Sequence, residues 1–442
     1  MGLALRVAKG AGWVFGTSSV ALVLRLTSNL IMVRYLQPDA FGLMAFALLT
    51  QIAAELMTDL GIGQSVVREK DGDTARFLRV AWTVKLIRSL CVAAGILLIA
   101  VGVYFMGPTI GAPASVYGRP EAPAIISFLA LSSLINGAES TNIFLAKRRL
   151  EYGRLSALEL GSQIIALLFM VVAVQVSATV WVLMGGTLVG AMSRLIFSHL
   201  ILPGARMRLA FDQDVRARLW RFGKWIMASS GLNYIASYAD ALILGALLGA
   251  ATFGVYTIAN TWIQGVITIL RKFSDEVGYS ALAEVINQRP EDLSRVFGRY
   301  MRVMTVLLTT GFLGCVSLAQ PFIDFLYPGA FEEAGLYLQL MAPTLLLFRG
   351  NAHMAIIMAM GNSRAVATAS LIRSVAICVF VPVGFSLGGV HGAIAAAIFA
   401  RASAFPYVIV LSSRWLTKSQ VLCEWAWYVT SLSAALILLI LQ

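Results

Sequence analysis

WVFGTSSVALVLRLTSNLIMVRYLQPDAFG, residues 13–42, returns as WIMASSGLNYIASYADALILGALLGAATFG, residues 225–254, displaced by 212 positions without a gap. Trp13 falls on Trp225, Ser18 on Ser230, Leu30 on Leu242, Ile31 on Ile243, Leu36 on Leu248, and Phe41-Gly42 on Phe253-Gly254. Apolar segments match one another easily, so the weight lies on the Trp at one end and the Phe-Gly at the other. A weaker echo follows at an offset of 210: Arg154, Ala157, Ala166, Val171, Val180 and Ser193 fall on Arg364, Ala367, Ala376, Val381, Val390 and Ser403. The chain reads as an internal duplication.

Composition places that duplication in a membrane. Charged residues make up 13% and apolar residues 59% of the 442, against roughly 25% charged in soluble domains. The apolar runs reach the roughly 20 residues a helix needs to cross the hydrocarbon layer, and the period-two alternation of a membrane barrel is absent. The first run holds Arg25 and no small-residue cleavage site, so it reads as a retained span.

Helical spans are expected near 10–34, 40–60, 80–105, 122–146, 155–175 and 178–201, then near 223–247, 252–272, 298–319, 334–360, 365–387 and 391–413. A further apolar segment, 424–441, follows. The expected fold is an all-α polytopic membrane protein. Residues 1–205 form an N-terminal six-helix half, 206–222 a cytoplasmic linker, 223–415 a C-terminal six-helix half, and 424–442 an extra hydrophobic helix. An even number of spans per half returns the chain to its starting side. The two bundles are therefore expected to be related by a pseudo-twofold axis along the membrane normal, as in parallel-repeat transporters.

Orientation follows from Lys and Arg in the connections. With Arg6 and Lys9 at a cytoplasmic N-terminus, the same side receives Arg68, Lys70, Arg76 and Arg79, then Lys147, Arg148, Arg149 and Arg154. The linker adds Arg206, Arg208, Arg216, Arg218, Arg221 and Lys224. The net charge of +12 is largely this asymmetry and implies attraction to anionic inner-leaflet lipids, with no nucleic-acid partner.

The inventory excludes catalysis and metal binding. Cys91, Cys315, Cys378 and Cys423 stand singly and read as small core residues; His199, His353 and His391 are too scattered for a metal site. Nucleophile-elbow, Walker A and dinucleotide motifs are missing, and the outer connections near 106–121 and 320–333 leave no room for a catalytic ectodomain. The expectation is a non-enzyme without a cofactor.

Ionisable residues within the spans carry the functional reading, because each is costly unless it faces a cavity or a partner. Ser18, Arg25 and Ser28 share one face of the first helix; Ser230, Asn233, Ser237 and Asp240 share the equivalent face of the seventh. The duplication lays Arg25 on Ser237 and Ser28 on Asp240, so the two stripes are expected to look at each other across the pseudo-twofold axis. Gln51 and Glu55 on helix two, Asn136, Glu139 and Ser140 on helix four, and Asn260, Gln264, Thr268 and Arg271 on helix eight extend the polar set. Arg349 and His353 on helix ten, Arg401 on helix twelve and Arg373 add positive charge.

Two readings stand for each of these. Arg194, Arg271 and Arg373 either snorkel to the cytoplasmic surface or line a cavity. Glu55 and Glu139 either bond neighbouring helices together or face a cavity. Arg25, Asp240, Arg349 and Arg401 sit too deep to snorkel and are expected in a wet cavity, with an Arg25–Asp240 ion pair as the competing structure.

The opening GAGWVFGTSSVALVLRL (10–26), the YLQPDAFGLMAFA turn (35–47), DLGIGQSVVRE (59–69) and AMGNSRAVA (359–367), with the two six-helix halves, resemble the polysaccharide-transporter branch of the multidrug/oligosaccharidyl-lipid/polysaccharide exporter (MOP) superfamily. These are the Wzx-type O-antigen and exopolysaccharide flippases. The resemblance implies movement of undecaprenyl-diphosphate-linked oligosaccharide across the bacterial inner membrane by alternating access, with a transmembrane H⁺ or Na⁺ gradient in place of a cofactor. It also implies a polymerase and a chain-length regulator of the same pathway as partners.

Guanidinium stays charged and its fork matches phosphate oxygens. Arg25, Arg349 and Arg401 are accordingly the candidate diphosphate contacts, with Ser18, Asn233 and Gln264 beside them, and Asp240 is the candidate coupling residue. Glu55, Glu139, Arg271, His353 and Arg373 are secondary cavity candidates. A drug or cation extruder of the same superfamily would instead need an acidic cavity, and a polymerase or glycosyltransferase acting on the same lipid-linked sugar would need a long outer loop. The last helix lies outside both repeats, so transport is expected not to depend on it.

Overall fold

The structure is a computed structural model that describes residues 3–110, 115–274, 285, 290–360 and 362–440. Gly361 of the AMGNSRAVA stretch and the side chains of Arg6 and Lys9 lie outside the described residues. The chain divides into two compact units, unit 1 comprising Met1–Tyr234 with Gly249–Ala251, and unit 2 comprising Ile235–Leu248 with Thr252–Gln442.

Unit 1 is built from α1 (Leu3–Met32), α2 (Pro38–Met57), the short α3 (Ile62–Arg68), α4 (Ala75–Ile110), α5 (Ala122–Ala138), the short α6 (Asn142–Arg148), α7 (Tyr152–Val176), α8 (Val180–Leu200) and the first part of α9 (Gln213–Leu247). Pro38 opens α2 where a missing amide costs nothing, and Asp39 puts a carboxylate in its first turn. Gly61 starts α3 at φ +58°, and a Cβ there would meet Ile226 at 2.9 Å, so the bend between α2 and α3 needs glycine. Arg148 then donates to the carbonyls of Val66 (2.7 Å), Glu69 and Lys70 (3.3 Å), closing the end of α3. Beneath it lies an apolar cluster containing Leu60, Ile62, Val66, Phe77, Leu78, Leu145, Val215 and Leu219.

The expected linker therefore belongs to unit 1. Val215 and Leu219 sit in that cluster, and Arg218 binds Asp71 (2.8 Å), Asp214 (3.1 Å) and Glu69 (3.2 Å). Arg76 pairs with Asp212. The division falls inside α9, between Tyr234 and Ile235, rather than within 206–222.

Unit 2 continues with α10 (Ala250–Phe273), α11 (Leu293–Leu326), three short helices α12 (Glu333–Met341), α13 (Pro343–Leu347) and α14 (Gly350–Ala359), then α15 (Ser363–Ala402), α16 (Phe405–Ser412) and α17 (Lys418–Ile440). The 40 residues of α15 are two helices. Gly388 and Gly389 leave helical geometry, Gly389 at φ +57°. In a straight helix Gly384 and Ala396 would stand about 18 Å apart; a Cβ on Gly384 would instead lie 2.4 Å from that of Ala396, so the chain doubles back.

Among the described residues nine helices are long and apolar enough to cross a membrane, or ten if the pair α5 and α6, bent by 56°, is one span. In that reckoning Arg364–Trp415, which contains the hairpin, is one stretch, and the duplicated pair α1 and α9 is absent. The outward surface is apolar, as hydrocarbon requires: Leu98, Phe105, Val176, Phe325 and Leu387 all point outward. Three cysteines expected in the core, Cys91, Cys378 and Cys423, are also exposed, and Cys315 is half-buried. A small thiol is as content against lipid as against a core, so spacing could not separate the two.

Candidate functional site

In unit 1 the polar groups converge on a break in a helix. α5 ends at Ala138 and α6 starts at Asn142, and groups freed or borne by the break find partners on other elements. The Ala138 carbonyl accepts from Trp82 Nε1 (3.0 Å) and bonds His199 Nε2 (3.1 Å), Ser140 N donates to Ser198 Oγ (3.0 Å), and Thr141 Oγ1 donates to the Leu78 carbonyl (2.9 Å). Irregular backbone at this depth is tolerated only where it is so satisfied or lines a cavity. Here it does both.

The break holds Glu139 between Lys85 (3.3 Å) and Arg194 (2.8 Å), and Arg194 reaches on to Glu159 (2.5 Å). Two carboxylates on two other elements thus hold Arg194 at the cavity wall. Arg88 donates to the Glu55 carbonyl (2.5 Å) and Thr58 Oγ1 (3.3 Å), capping the end of α2. Glu55 Oε1 accepts from Gln51 Nε2 (3.0 Å) and Ser133 Oγ (3.3 Å), both neutral donors.

Two cavities meet along Glu55, Asn136 and Arg194. One, of about 330 Å³, is lined by Lys85, Arg88, Glu139, Lys147 and Ser133 among others. The other, of about 490 Å³, is lined by Arg25, Ser28, Gln51, Gln163 and Thr187. Arg25 is exposed to this space and, among the described residues, no hydrogen bond or ion pair holds it. The charged lining is Arg25, Lys85, Arg88, Lys147 and Arg194 against Glu55 and Glu139, a cationic balance.

Unit 2 treats its charges differently. Arg401 donates to Asp240 at 2.5 Å, and Asp240 is buried. The competing Arg25–Asp240 pair of the sequence reading is replaced by a partner 161 residues away. Arg373 lies within electrostatic reach of both Arg401 and Arg271. Arg373 Nε is buried with no partner among the described residues, and Arg271 is exposed. Arg349 was expected in a wet cavity. It is buried, its Nε (2.7 Å) and Nη2 (2.6 Å) closing bidentately on Glu424, while Nη1 donates to Thr305 and Trp427 covers its face at 4.8 Å. His353 is likewise sealed, its Nδ1 2.8 Å from Ser412 Oγ and its Nε2 3.2 Å from Glu424.

The remaining candidates are scattered. Ser18 is half-buried, and Asn233 is exposed on α9. Gln264 donates to Asn260 one turn back at 3.5 Å.

Sequence reasoning missed Lys85, Arg88 and Glu159, which sat inside apolar runs taken as plain spans. Lys85 and Arg88 are one turn apart, a signal that was there to read. It also missed Glu424, because the last helix was set aside. That helix supplies the carboxylate for Arg349 and His353, so it is part of unit 2 and not an appendage.

The family described as Polysaccharide biosynthesis protein matches residues 31–335. Among curated proteins, the chain is 24% identical over 352 residues to the lipopolysaccharide biosynthesis protein WzxC of Escherichia coli (strain K12), covering 78% of this chain and 68% of that protein. It is 22% identical over 336 residues to the succinoglycan biosynthesis transport protein ExoT of Rhizobium meliloti (strain 1021), covering 76% and 65%. The chain thus spans about two thirds of the length of these relatives.

Among solved structures, an inward-facing multidrug resistance MATE family transporter of the MOP superfamily superposes with TM-score 0.70 at 14% identity, over 89% of this chain and 95% of that one. The lipid II flippase MurJ, in an inward closed conformation, superposes with TM-score 0.67 at 12% identity, over 96% of each. At such identities these two likenesses establish the fold alone. With the fold so established, the family match over residues 31–335 makes the assignment: this chain belongs to the polysaccharide biosynthesis protein family, a multi-pass membrane protein whose relatives are transporters and not enzymes.

Proposed function

We propose that the protein moves undecaprenyl-diphosphate-linked oligosaccharide, a repeat unit of O-antigen or exopolysaccharide, from the inner to the outer leaflet of the inner membrane, N-terminus cytoplasmic, by ion-coupled alternating access. The observation that carries the reading is Arg25, a guanidinium without a protein partner among the described residues, standing in a cavity whose charged lining is mostly cationic. An unpaired arginine inside a membrane protein costs free energy unless a ligand or water completes it, and a diphosphate completes it best. Ser28, Gln51 and Asn136 line the same cavity, offering hydrogen bonds to phosphate or sugar oxygens.

In unit 2, Arg401 is the candidate anion contact of this reading. It is held by Asp240, so an anion that takes Arg401 would release Asp240 to bind H⁺ or Na⁺, the reciprocity that coupling requires. Arg349 has its fork filled by Glu424 and serves packing unless that pair opens.

The test is flipping of a fluorescent undecaprenyl-diphosphate oligosaccharide in proteoliposomes. The expected outcome is gradient-dependent movement that Arg25→Ala lowers at least about tenfold, the loss of one charge-assisted contact. Extrusion of small organic cations, with no movement of the lipid-linked probe, would reject the reading. For the coupling role, Asp240→Asn should change the ion dependence; unchanged export with unchanged ion dependence would remove Asp240 from it.

A further inference from the structure

The sealed cluster at the junction of α14, α16 and α17 is charged, titratable and unused by the reading above. Its hydrogen bonds allow His353 two states. Glu424, as a carboxylate, only accepts, so His353 Nε2 donates to it across 3.2 Å. Ser412 Oγ has one hydrogen and two acceptors within reach: His353 Nδ1 at 2.8 Å and the Ile409 carbonyl at 3.1 Å. When the hydroxyl donates to Nδ1, the ring is neutral. When it turns to the Ile409 carbonyl, its lone pair faces Nδ1, and the ring can carry a second proton there. Neither state leaves a buried polar group without a partner, which is rare for a change of charge inside a protein.

The surroundings balance the two states. Glu424 favours the charged ring and Arg349, four residues before His353, opposes it. The rings of Phe297 and Phe405, with centroids 5.3 and 6.0 Å away, close the remaining sides, and Tyr428 stacks behind Phe405. With a neutral ring the cluster of Arg349, Glu424 and His353 carries no net charge; with a protonated ring it carries one positive charge. The carboxylate is on α17, the hydroxyl on α16 and the imidazole on α14, so one proton alters the attraction among three helices at once.

We propose that His353, held between Glu424 and Ser412, is a proton-binding site of unit 2, and that the last helix creates it by supplying Glu424. That this proton bears on transport rests on the function proposed above; the site itself does not. The proton is taken at Nδ1, and the Ser412 hydroxyl swings to the Ile409 carbonyl as it arrives.

The test is ¹⁵N NMR of histidine-labelled full-length protein in nanodiscs, with His353→Gln used to identify the His353 signal among those of His199, His353 and His391. Spectra are compared over a window from about pH 8 to pH 5, and the expected result is a ring that gains its second proton at Nδ1 as pH falls and that stays neutral throughout in Glu424→Gln. Should that variant fail to fold, Arg349→Gln with Glu424→Gln, which removes both charges together, is expected to leave the ring neutral as well. A ring that holds one protonation state across the window in the wild type overturns the site, as does a response that survives loss of the carboxylate. In proteoliposomes, His353→Gln should change the response of flipping to pH over the same window, apart from whatever response Asp240 carries. A protein whose His353 takes up the proton but which moves no lipid-linked probe at any pH would overturn the transport reading and leave the proton site standing.

Discussion

Unit 1 and unit 2 carry ionisable side chains in their membrane segments, and they dispose of them in opposite ways. In unit 1 the charges border open space: the Arg194 and Glu159 side chains are 35% and 36% exposed, and Arg25 is free to the cavity. In unit 2 the main pair is closed: the Arg349 and Glu424 side chains are 4% and 2% exposed, with every arm of the guanidinium taken. A wet charge can exchange its water for a ligand, whereas a sealed pair can only break or change its proton. Unit 1 thus keeps charges on a cavity wall, and unit 2 keeps its main pair closed.

The contrast would be broken most directly at Glu424. Removing one partner of a buried pair strands the other, so Glu424→Ala should destabilise the protein by about 3–5 kcal/mol, read as a large drop in the thermal unfolding midpoint in detergent. Arg349→Met with Glu424→Leu should recover most of that loss, since replacing both charges leaves none unpaired. A single substitution costing under about 1 kcal/mol would mean the pair is exposed and the lock is not one.

Arg25→Ala should show the reverse profile. Transport falls at least about tenfold, while the unfolding midpoint stays within what a surface substitution gives, about 0.5 kcal/mol. A drop in stability as large as that of Glu424→Ala would assign Arg25 to packing and erase the difference between the units.

The smallest effect belongs to the clasp that Arg68 and Arg218 form with Glu69 and Asp71 in unit 1. Hydrogen bonding from Arg68 and the charges of Arg68 and Arg218 hold the Glu69 carboxyl below its ordinary range; hydrogen bonding from Arg218 does the same for Asp71. Because both are lowered on folding, their contribution is complete above the ordinary carboxylate range, near pH 4, and is lost only as pH falls through the lowered values. Hydrogen exchange of residues 206–222 should therefore be steady from about pH 8 to pH 5 after correction for intrinsic rates, and should rise on stronger acidification. Arg218→Ala should raise it at neutral pH by an amount worth no more than about 1 kcal/mol, since these groups are partly exposed. A clasp that loosened between pH 8 and 5 would point to histidine control instead.

Much of the site was legible one helix at a time and almost none of it in pairs. Arg25 and Ser28 were placed on one face of the first helix, and they line one cavity together. Glu139 was placed in a polar patch with Asn136, and it borders that lining. Asp240 was offered Arg25 as a partner and took Arg401; Arg349 was expected wet and took Glu424. Face and spacing follow from the 3.6-residue repeat, whereas the choice among several arginines at similar depth depends on which helices touch.

Run lengths, charge asymmetry and the repeat of 13–42 at 225–254 determined, by themselves, a duplicated helical membrane protein with polar stripes on α1 and α9, because the thickness of hydrocarbon and the helical period act on local sequence. Only the tertiary structure decided that the linker belongs to unit 1, that α5 and α6 break around Glu139, and that the last helix completes unit 2 through Glu424. Each of those depends on burying a charge or a freed backbone group, and in a low-dielectric interior the nearest available partner wins, whether it lies 54, 75 or 161 residues along the chain.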